Sequence, residues 1–202
     1  MKAKRSQIGW GFWLQWVVAS TVGMVVGFIA GFLSLDLIYD VLGDWLIYNV
    51  LGDWLDFLFL GIVPGIGVGI LQWLVLRRRV SGAGWWVLAS AAAGYGILAG
   101  FIGYSESLSF GTLLSLTGVV ALGGAAVGTL QWLVLRGKVS RAGWWVLAST
   151  VGWGLSVTMA RAIPWSNDET DVLLALAVTG AALGADTGGA LVWLLRQSVP
   201  EA

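Results

Sequence analysis

The pattern WVxAS occurs three times in the chain, as WVVAS at residues 16–20 and as WVLAS at residues 86–90 and 145–149. Each copy is followed by a second apolar segment that ends in arginine. Two of these segments have the identical sequence LQWLVLR, at 71–77 and 130–136. A motif pair that recurs in one order along a chain indicates a repeated supersecondary unit. The sequence therefore predicts three copies of one helical hairpin.

The composition is typical of a membrane protein. Of 202 residues, 58% are hydrophobic and 11% are charged, and the mean hydropathy is +0.85. Soluble globular domains carry about 25% charged residues. A transmembrane helix needs about 20 apolar residues, so the chain is long enough for six spans joined by short loops. A large catalytic domain outside the membrane would not fit in the remaining length.

The predicted fold class is an all-α, six-span transmembrane helical bundle. Because each repeat contains two spans, all three hairpins enter the membrane in the same direction, as parallel repeats around a pseudo-threefold axis. The whole chain, 1–202, is interpreted as a single membrane domain, with hairpins at about 8–77, 84–136 and 143–196. The predicted spans lie at about 8–33, 57–77, 84–104, 112–136, 143–162 and 172–195.

The positions of the charges predict the orientation. Ten of the eleven basic residues precede the first span or follow the second, fourth and sixth spans. Nine of the eleven acidic residues lie in the alternate loops. Short loops rich in Lys and Arg stay on the cytoplasmic side of a membrane. Both termini are therefore expected in the cytoplasm, and the first apolar run is interpreted as an uncleaved span rather than a signal peptide.

The first outer loop contains a small duplication, YDVLGDWL at 39–46 and YNVLGDWL at 48–55. We expect an amphipathic interfacial helical segment at about 34–56, made of two short helices that meet near Asn49 or Gly52. It would serve either as a polar cap over the spans or as a docking surface for another subunit. The candidate docking residues are Asp36, Asp40, Asp44, Trp45, Asp53 and Trp54.

The tryptophans are expected to mark the two membrane surfaces, because indole rings prefer the headgroup region. Only Trp153 is expected deeper, packed between helices or against an apolar ligand. Trp45, Trp54 and Trp165 are assigned to the outer surface. The inner surface is assigned Trp10, Trp13, Trp16, Trp73, Trp85, Trp86, Trp132, Trp144, Trp145 and Trp193.

Glycines recur at four-residue spacing in four of the predicted spans. Such spacing makes a flat groove along one helix face and favours close helix packing in lipid. A tight bundle is therefore expected, with a kink at Pro64. The predicted packing glycines are Gly23, Gly27, Gly31, Gly61, Gly65, Gly69, Gly124, Gly128, Gly180, Gly184 and Gly188.

Four polar residues inside the spans are candidate site residues. Gln72, Gln131 and Gln15 each precede a tryptophan and either bridge helices or bind a lipid headgroup or a pigment metal. In the third copy, Val192 precedes the equivalent tryptophan and is interpreted as the replacement of the glutamine. Asp186 lies about 15 Å deep when counted from the arginine ten residues later. It is interpreted either as an acid hydrogen-bonded to a neighbouring helix through Thr187, Thr179 or Arg161, or as an ion, proton or ligand site.

Several classes of function are disfavoured by what the sequence lacks. There is no cysteine and no histidine, which removes thiol and imidazole chemistry. No paired intramembrane carboxylates or phosphate-binding loop is present, so the protein is not expected to be an enzyme. No metal site is expected either. The basic residues are explained by topology, so nucleic-acid binding is not expected.

The segments WWVLAS at 85–90, WWVLASTVGWGL at 144–155 and LQWLVLR together resemble the repeats of small multi-pass membrane proteins of cyanobacteria and other phototrophic bacteria. The resemblance covers most of the chain except residues 34–56. It implies a bacterial inner (plasma) membrane or a thylakoid membrane, and an accessory subunit near a photosynthetic or respiratory complex. It implies no particular activity.

Two functions are therefore expected from the sequence. The first is a non-catalytic membrane subunit or scaffold that packs against a larger complex, lipid or pigment. Its partners would be membrane lipids and other membrane protein subunits. No cofactor is identifiable, although bound lipid is expected and chlorophyll or carotenoid is compatible with the setting. The second is a small transporter or channel that uses Asp186.

Overall fold

The computed structural model describes residues 9–43, 58–92, 110–163 and 169–197, with side chains in these ranges except at 58, 110–116 and 169. The described residues are helical apart from short turns and form six helices, which confirms the predicted all-α class. We number the helices α1 to α6. They are α1 Trp10–Leu42, α2 Val63–Leu76 after a π-helical turn Leu58–Ile62, α3 described over 85–92, α4 Phe110–Leu135, α5 Trp144–Arg161 and α6 Glu169–Gln197.

Four helical stretches are long and apolar enough to cross a membrane. They are Trp10–Leu42, Phe59–Leu76, Thr117–Leu135 and Thr170–Gln197. The 18 residues of α5 make a helix about 27 Å long, similar to the hydrocarbon core of a bilayer. By length and composition, the described part of the chain is therefore helical and membrane-like.

Helix α1 is longer than the predicted first span. It has 33 residues and a length of about 50 Å, against about 30 Å for the hydrocarbon core. Residues 34–42 are helical as expected, but they continue α1 instead of forming a separate interfacial helix. No glycine or proline interrupts the chain between Gly31 and Gly43. The helix ends at Gly43, where φ is 75°, a left-handed conformation that glycine adopts without strain.

The predicted docking residues are only partly within the described structure. Asp36 and Asp40 are exposed on the last turns of α1. Four of the six, Asp44, Trp45, Asp53 and Trp54, lie outside the described residues, as do Asn49 and Gly52.

The six helices form a closed ring. Helix α1 packs against α2 and α6, and α5 packs against α4 and α6. Helix α3 lies between α2 and α4, because Ser90 contacts both Gly65 of α2 and Gln131 of α4. The order around the ring is therefore the order along the chain, and the contact between α6 and α1 closes it.

The predicted glycines lie at these helix contacts, where a side chain would collide with a neighbour. Gly61 is buried in the π-helical turn that precedes α2. An added Cβ would meet α2 from Gly23, Gly27 and Gly31, α3 from Gly65 and Gly69, α5 from Gly124 and Gly128, and α1 from Gly180, Gly184 and Gly188.

One glycine–serine contact recurs in all three copies and sets their register. A Cβ added to Gly69, Gly128 or Gly184 would lie 2.9, 2.7 or 2.9 Å from the Cβ of Ser90, Ser149 or Ser20. These serines are the last residues of the three WVxAS motifs. Each motif therefore packs against a glycine of the preceding helix around the ring.

Pro64 follows the π-helical turn Leu58–Ile62 and lies in the first turn of α2. Proline has no backbone N–H, so it cannot donate the α-helical hydrogen bond to residue 60. A π-helical turn is a common irregularity at such a position. Just before Pro64, where the sequence predicts a kink, the helix is therefore π-helical instead of α-helical.

Replacing Gly184 with alanine should destabilise the bundle by about 1–3 kcal/mol, because the new methyl group overlaps Ser20 and the backbone of Val17. Gly189 on the same helix is the matched control. A Cβ there meets nothing within 4 Å, so Gly189→Ala should be neutral or slightly stabilising. Unfolding in mixed detergent–SDS micelles measures both, and equal losses would contradict the close packing at Gly184.

Candidate functional site

Three tryptophans, one from each WVxAS motif, meet at the centre of the ring. Trp16, Trp86 and Trp145 are 0%, 0% and 1% exposed. Their ring centroids are 5.7, 6.2 and 5.2 Å apart, with edge-to-face or tilted geometry. Aromatic pairs prefer such arrangements, and each pair contributes about 0.5–1.5 kcal/mol beyond its burial. We call these three residues the tryptophan ring.

The prediction that these three tryptophans belong to an interfacial belt is wrong. The tryptophan before each of the last two, Trp85 or Trp144, is 69% or 56% exposed and lies at the surface. Neighbouring residues on a helix point about 100° apart, so one indole of a WW pair can face outward while the other faces the axis. The alanine and serine three and four residues later share the inward face. These two small residues indicate that the tryptophan on the same face packs against neighbouring helices.

Each buried indole donates its N–H to a polar side chain of a neighbouring helix. Trp86 Nε1 donates to Gln72 Oε1 at 2.9 Å, and Trp145 Nε1 donates to Gln131 Oε1 at 3.0 Å. The same two amides donate from Nε2, Gln72 to Ser20 Oγ at 2.9 Å and Gln131 to Ser90 Oγ at 3.1 Å. Each glutamine therefore joins three helices and leaves no indole N–H unsatisfied.

The third copy uses a threonine in place of the glutamine. Trp16 Nε1 donates to Thr187 Oγ1 at 3.1 Å. Thr187 lies three residues after Gly184, as the two glutamines lie three residues after Gly69 and Gly128. Thr187 is thus the equivalent position, although its side chain is shorter than an amide side chain.

The match of Val192 to the glutamine position is wrong by five residues. Helix α6 continues for a further turn before Arg196, so counting back from the terminal tryptophan and arginine shifts the register. The remaining candidate of this group, Gln15, is exposed and does not join the buried network.

Toward the end of the bundle that carries most of the arginines, the centre is solid. We call this end the arginine end. Leu76, Leu135 and Leu191 are each 0% exposed and lie seven residues after the three equivalent glycines. Four residues further on, Val80, Val139 and Leu195 are buried in the same cluster. These layers and the tryptophan ring close the bundle axis at the arginine end.

On the opposite side of the tryptophan ring lies a cavity of about 260 Å³. Ser149 lines its floor, and Arg161, 12 positions further along α5 and therefore about 18 Å away, lines its far end. Trp153 forms part of the wall. The polar residues of the floor are Gln72, Ser90, Gln131, Ser149 and Thr187, and the apolar wall includes Met24, Phe28, Val68, Val127, Val157 and Leu183.

Asp186 lies outside this cavity, between α5 and α6. Its Oδ2 is buried 3.0 Å from the position of a Cβ on Gly152, and it has no hydrogen-bond partner within the described residues. The threonines expected as partners donate to backbone carbonyls of their own helix instead, Thr187 to Leu183 and Thr179 to Ala175.

The depth of Asp186 is smaller than expected. In the register set by the glycine–serine contacts, Asp186 is equivalent to the residue six positions before Arg77 and Arg136. It therefore lies about 9 Å from the arginine level rather than about 15 Å. Arg161 is nine residues beyond Gly152, about 13 Å along the axis of α5, and is too distant to pair with Asp186.

At the arginine end, Trp73 and Trp132 each contact the side chain of an arginine. The guanidinium of Arg77 lies 5.3 Å from the ring centre of Trp73, and that of Arg136 lies 5.7 Å from that of Trp132. Such cation–π contacts hold the charged groups beside the indoles that prefer the headgroup region.

Comparison of the chain with protein-family models, with curated proteins and with solved structures gives no match. No group of three or more potential metal ligands from histidine, cysteine, aspartate and glutamate occurs in the described ranges. The function is therefore inferred from the cavity, its polar floor and the closed arginine end.

Replacing Gln131 with leucine should lower the free energy of unfolding by about 1–3 kcal/mol. The substitution leaves the Trp145 indole N–H buried without an acceptor and also removes the bond to Ser90. The matched control is Gln15→Leu, an exposed glutamine that should change stability by less than about 0.5 kcal/mol. A similar loss in the two variants, measured by SDS unfolding, would show that the buried network is not a stabilising element.

Proposed function

We propose that the protein is a non-catalytic membrane subunit or scaffold that holds one apolar, lipid-like molecule in its central cavity. The observation that carries the proposal is the cavity itself, a mostly apolar and partly open volume of about 260 Å³ within the ring of helices. Protein interiors are otherwise close-packed, with few voids larger than a water molecule. A volume of this size inside a tightly packed bundle favours a bound molecule.

The chemistry of the wall favours a hydrocarbon chain. Most of the described lining residues are aliphatic or aromatic, and the polar ones are the five floor residues, Thr179 and Arg161. Pockets for drug-sized ligands have volumes of about 300–1,000 Å³, so this cavity suits a single acyl or isoprenoid chain. The oxygens of Gln72 and Gln131, once candidates for a pigment metal, already accept hydrogen bonds from indoles.

A non-catalytic role is supported by the residue types at the floor. The five polar residues there are amides and hydroxyls, and no ionisable side chain is among them. Ser149 and Thr187 donate their hydroxyl protons to backbone carbonyls of Gly124 and Leu183. Activation of a hydroxyl nucleophile needs a neighbouring base, and none is among the described residues that line the cavity.

The arginine end is assigned to the cytoplasm, because short basic loops remain on that side. The opposite end then faces outward, and the exposed Asp36 and Asp40 on the extension of α1 provide an acidic surface for a larger membrane complex. The resemblance to proteins of phototrophic bacteria supports a plasma or thylakoid membrane and a photosynthetic or respiratory partner.

Purification from native membranes in a mild detergent tests the proposal. We expect about one lipid-like molecule per chain to remain bound, detected by native mass spectrometry and identified after solvent extraction. An absorption spectrum distinguishes a carotenoid from a colourless lipid. In the matched variant Val127→Trp, a large side chain enters the cavity wall and should reduce the retained molecule at least fivefold. A wild-type protein that retains nothing and binds no added lipid chain would contradict the proposal.

A second candidate function, a small transporter, is favoured by one observation. Asp186 Oδ2 is buried in a membrane helix without a hydrogen-bond partner among the described residues, and such carboxyl groups often mark ion or proton pathways. Against it, Asp186 does not line the cavity, and the tryptophan ring and leucine layer occupy the axis toward the arginine end.

The two functions differ in their response to Asp186→Asn. A transporter that uses this carboxyl should lose at least tenfold of its proton or cation flux in liposomes, whereas the proposed lipid-binding subunit should keep its bound molecule unchanged. Gly189→Ala on the same helix is the control for folding and insertion. A proton or cation flux that is present in the wild-type protein and absent from the Asp186→Asn variant would favour the transporter and count against the proposed function.

A further inference from the structure

The third copy of the repeat lacks one hydrogen bond that the other two possess. In copies one and two, a glutamine amide donates to the serine of the preceding helix, Gln72 to Ser20 and Gln131 to Ser90. The equivalent pair in copy three is Thr187 and Ser149, and no hydrogen bond joins them in the described structure. The space that a third amide would fill belongs to the floor of the cavity, which both residues line.

The two hydroxyls at this place have already used their protons. Ser149 donates to the carbonyl of Gly124, and Thr187 donates to the carbonyl of Leu183. A hydroxyl has one donor and two acceptor lone pairs. Thr187 also accepts from Trp16, which leaves it one lone pair, and Ser149 retains two. The floor between them therefore offers hydrogen-bond acceptors and no donor.

We propose that the space between Ser149 and Thr187 binds the polar end of the cavity ligand. The ligand is an amphiphile with an O–H or N–H donor at the end of an apolar chain. The donor takes the place of the missing glutamine amide and bonds to Ser149 or Thr187, and a primary amide, which has two N–H donors, bonds to both. A long-chain alcohol, a primary amide or a protonated fatty acid has this chemistry, whereas an alkane, an ether or a quinone carbonyl does not.

The position of the chain follows from the shape of the cavity. With its head at Ser149, an apolar tail extends along α5 past Trp153 and Val157 toward the far end, about 18 Å away. The described wall along this path is mainly apolar, and the hydroxyl of its Thr179 already donates to the carbonyl of Ala175. A head at the opposite end would instead leave the acceptor lone pairs of the floor facing hydrocarbon, which is costly.

This inference rests on the proposed function, since it names the class of molecule that the cavity holds. Its first test uses radiolabelled hexadecanol with the purified full-length protein, competed by unlabelled hexadecanol, methyl hexadecyl ether or hexadecane. The three probes share one chain length and differ in the donor. We expect hexadecanol to bind at least fivefold more tightly than the other two, the difference that one neutral hydrogen bond makes. Equal binding of the three would overturn the inference.

The second test introduces the missing amide into the third copy of the repeat. Thr187→Gln should restore the amide link to Ser149 and fill the gap, with hexadecanol binding reduced at least tenfold and a melting temperature no lower than that of the wild type. Glutamine is already accommodated at the two equivalent positions, next to the equivalent glycines. Unchanged binding of hexadecanol in a folded Thr187→Gln protein would overturn the inference.

Ser149→Ala provides a variant that keeps the cavity open. It removes both free lone pairs of Ser149 and leaves one on Thr187, so the preference for hexadecanol over the ether should fall at least twofold while binding of hexadecane is retained. Ser20→Ala is the matched control, because Ser20 is the equivalent serine of copy one and does not line the cavity. It should lose stability through its bond to Gln72 but keep the preference. An undiminished preference for hexadecanol in Ser149→Ala would contradict the placement of the ligand headgroup at Ser149.

The outcomes separate this inference from the proposed function. Saturable binding of all three probes without a preference leaves the cavity as an apolar site and removes only its donor-specific floor. Absence of saturable binding by any probe, together with no molecule retained from native membranes, removes both.

Discussion

The need to satisfy buried indole N–H groups within a membrane organises the whole bundle. Inside a bilayer no water is available to replace a missing acceptor, so the N–H groups of Trp16, Trp86 and Trp145 require side-chain partners from neighbouring helices. The acceptors are placed by the glycines that precede them, because only a close approach brings the amide within 3.0 Å of the indole. Helix packing and polar satisfaction therefore depend on the same contacts.

This arrangement divides the molecule into a solid half and a hollow half. At the arginine end, the tryptophan ring is backed by layers of leucine and valine that leave no passage along the axis. On the other side, the helices enclose the cavity instead of filling it. Apolar contacts provide no net hydrophobic force between helices in lipid, so association there depends on van der Waals packing and hydrogen bonds. The solid half supplies both, and it can hold the helices together around a cavity.

Part of this structure was predictable from the residues. Period and charge predicted the helical class, and the spacing of glycines placed them on faces that meet neighbouring helices. The inward position of Trp86 was not predicted, since two adjacent tryptophans are equally apolar and only their angle around the helix distinguishes them. The role of Thr187 was hidden by the extra turn of α6, which shifts any alignment that begins at Arg196. The cavity depends on the balance of side-chain volumes across six helices, which no local pattern records.

The joining of three hairpins in one polypeptide has a consequence for how the ring can differ from perfect symmetry. A homotrimer of identical hairpins changes all three equivalent positions whenever one is changed, so any recess at its centre would present three indistinguishable orientations. In a single chain, one position can differ alone, as threonine does at 187 beside the glutamines of the other two copies. The covalent linkage thereby removes the rotational degeneracy of the centre, and the molecule has one distinct side.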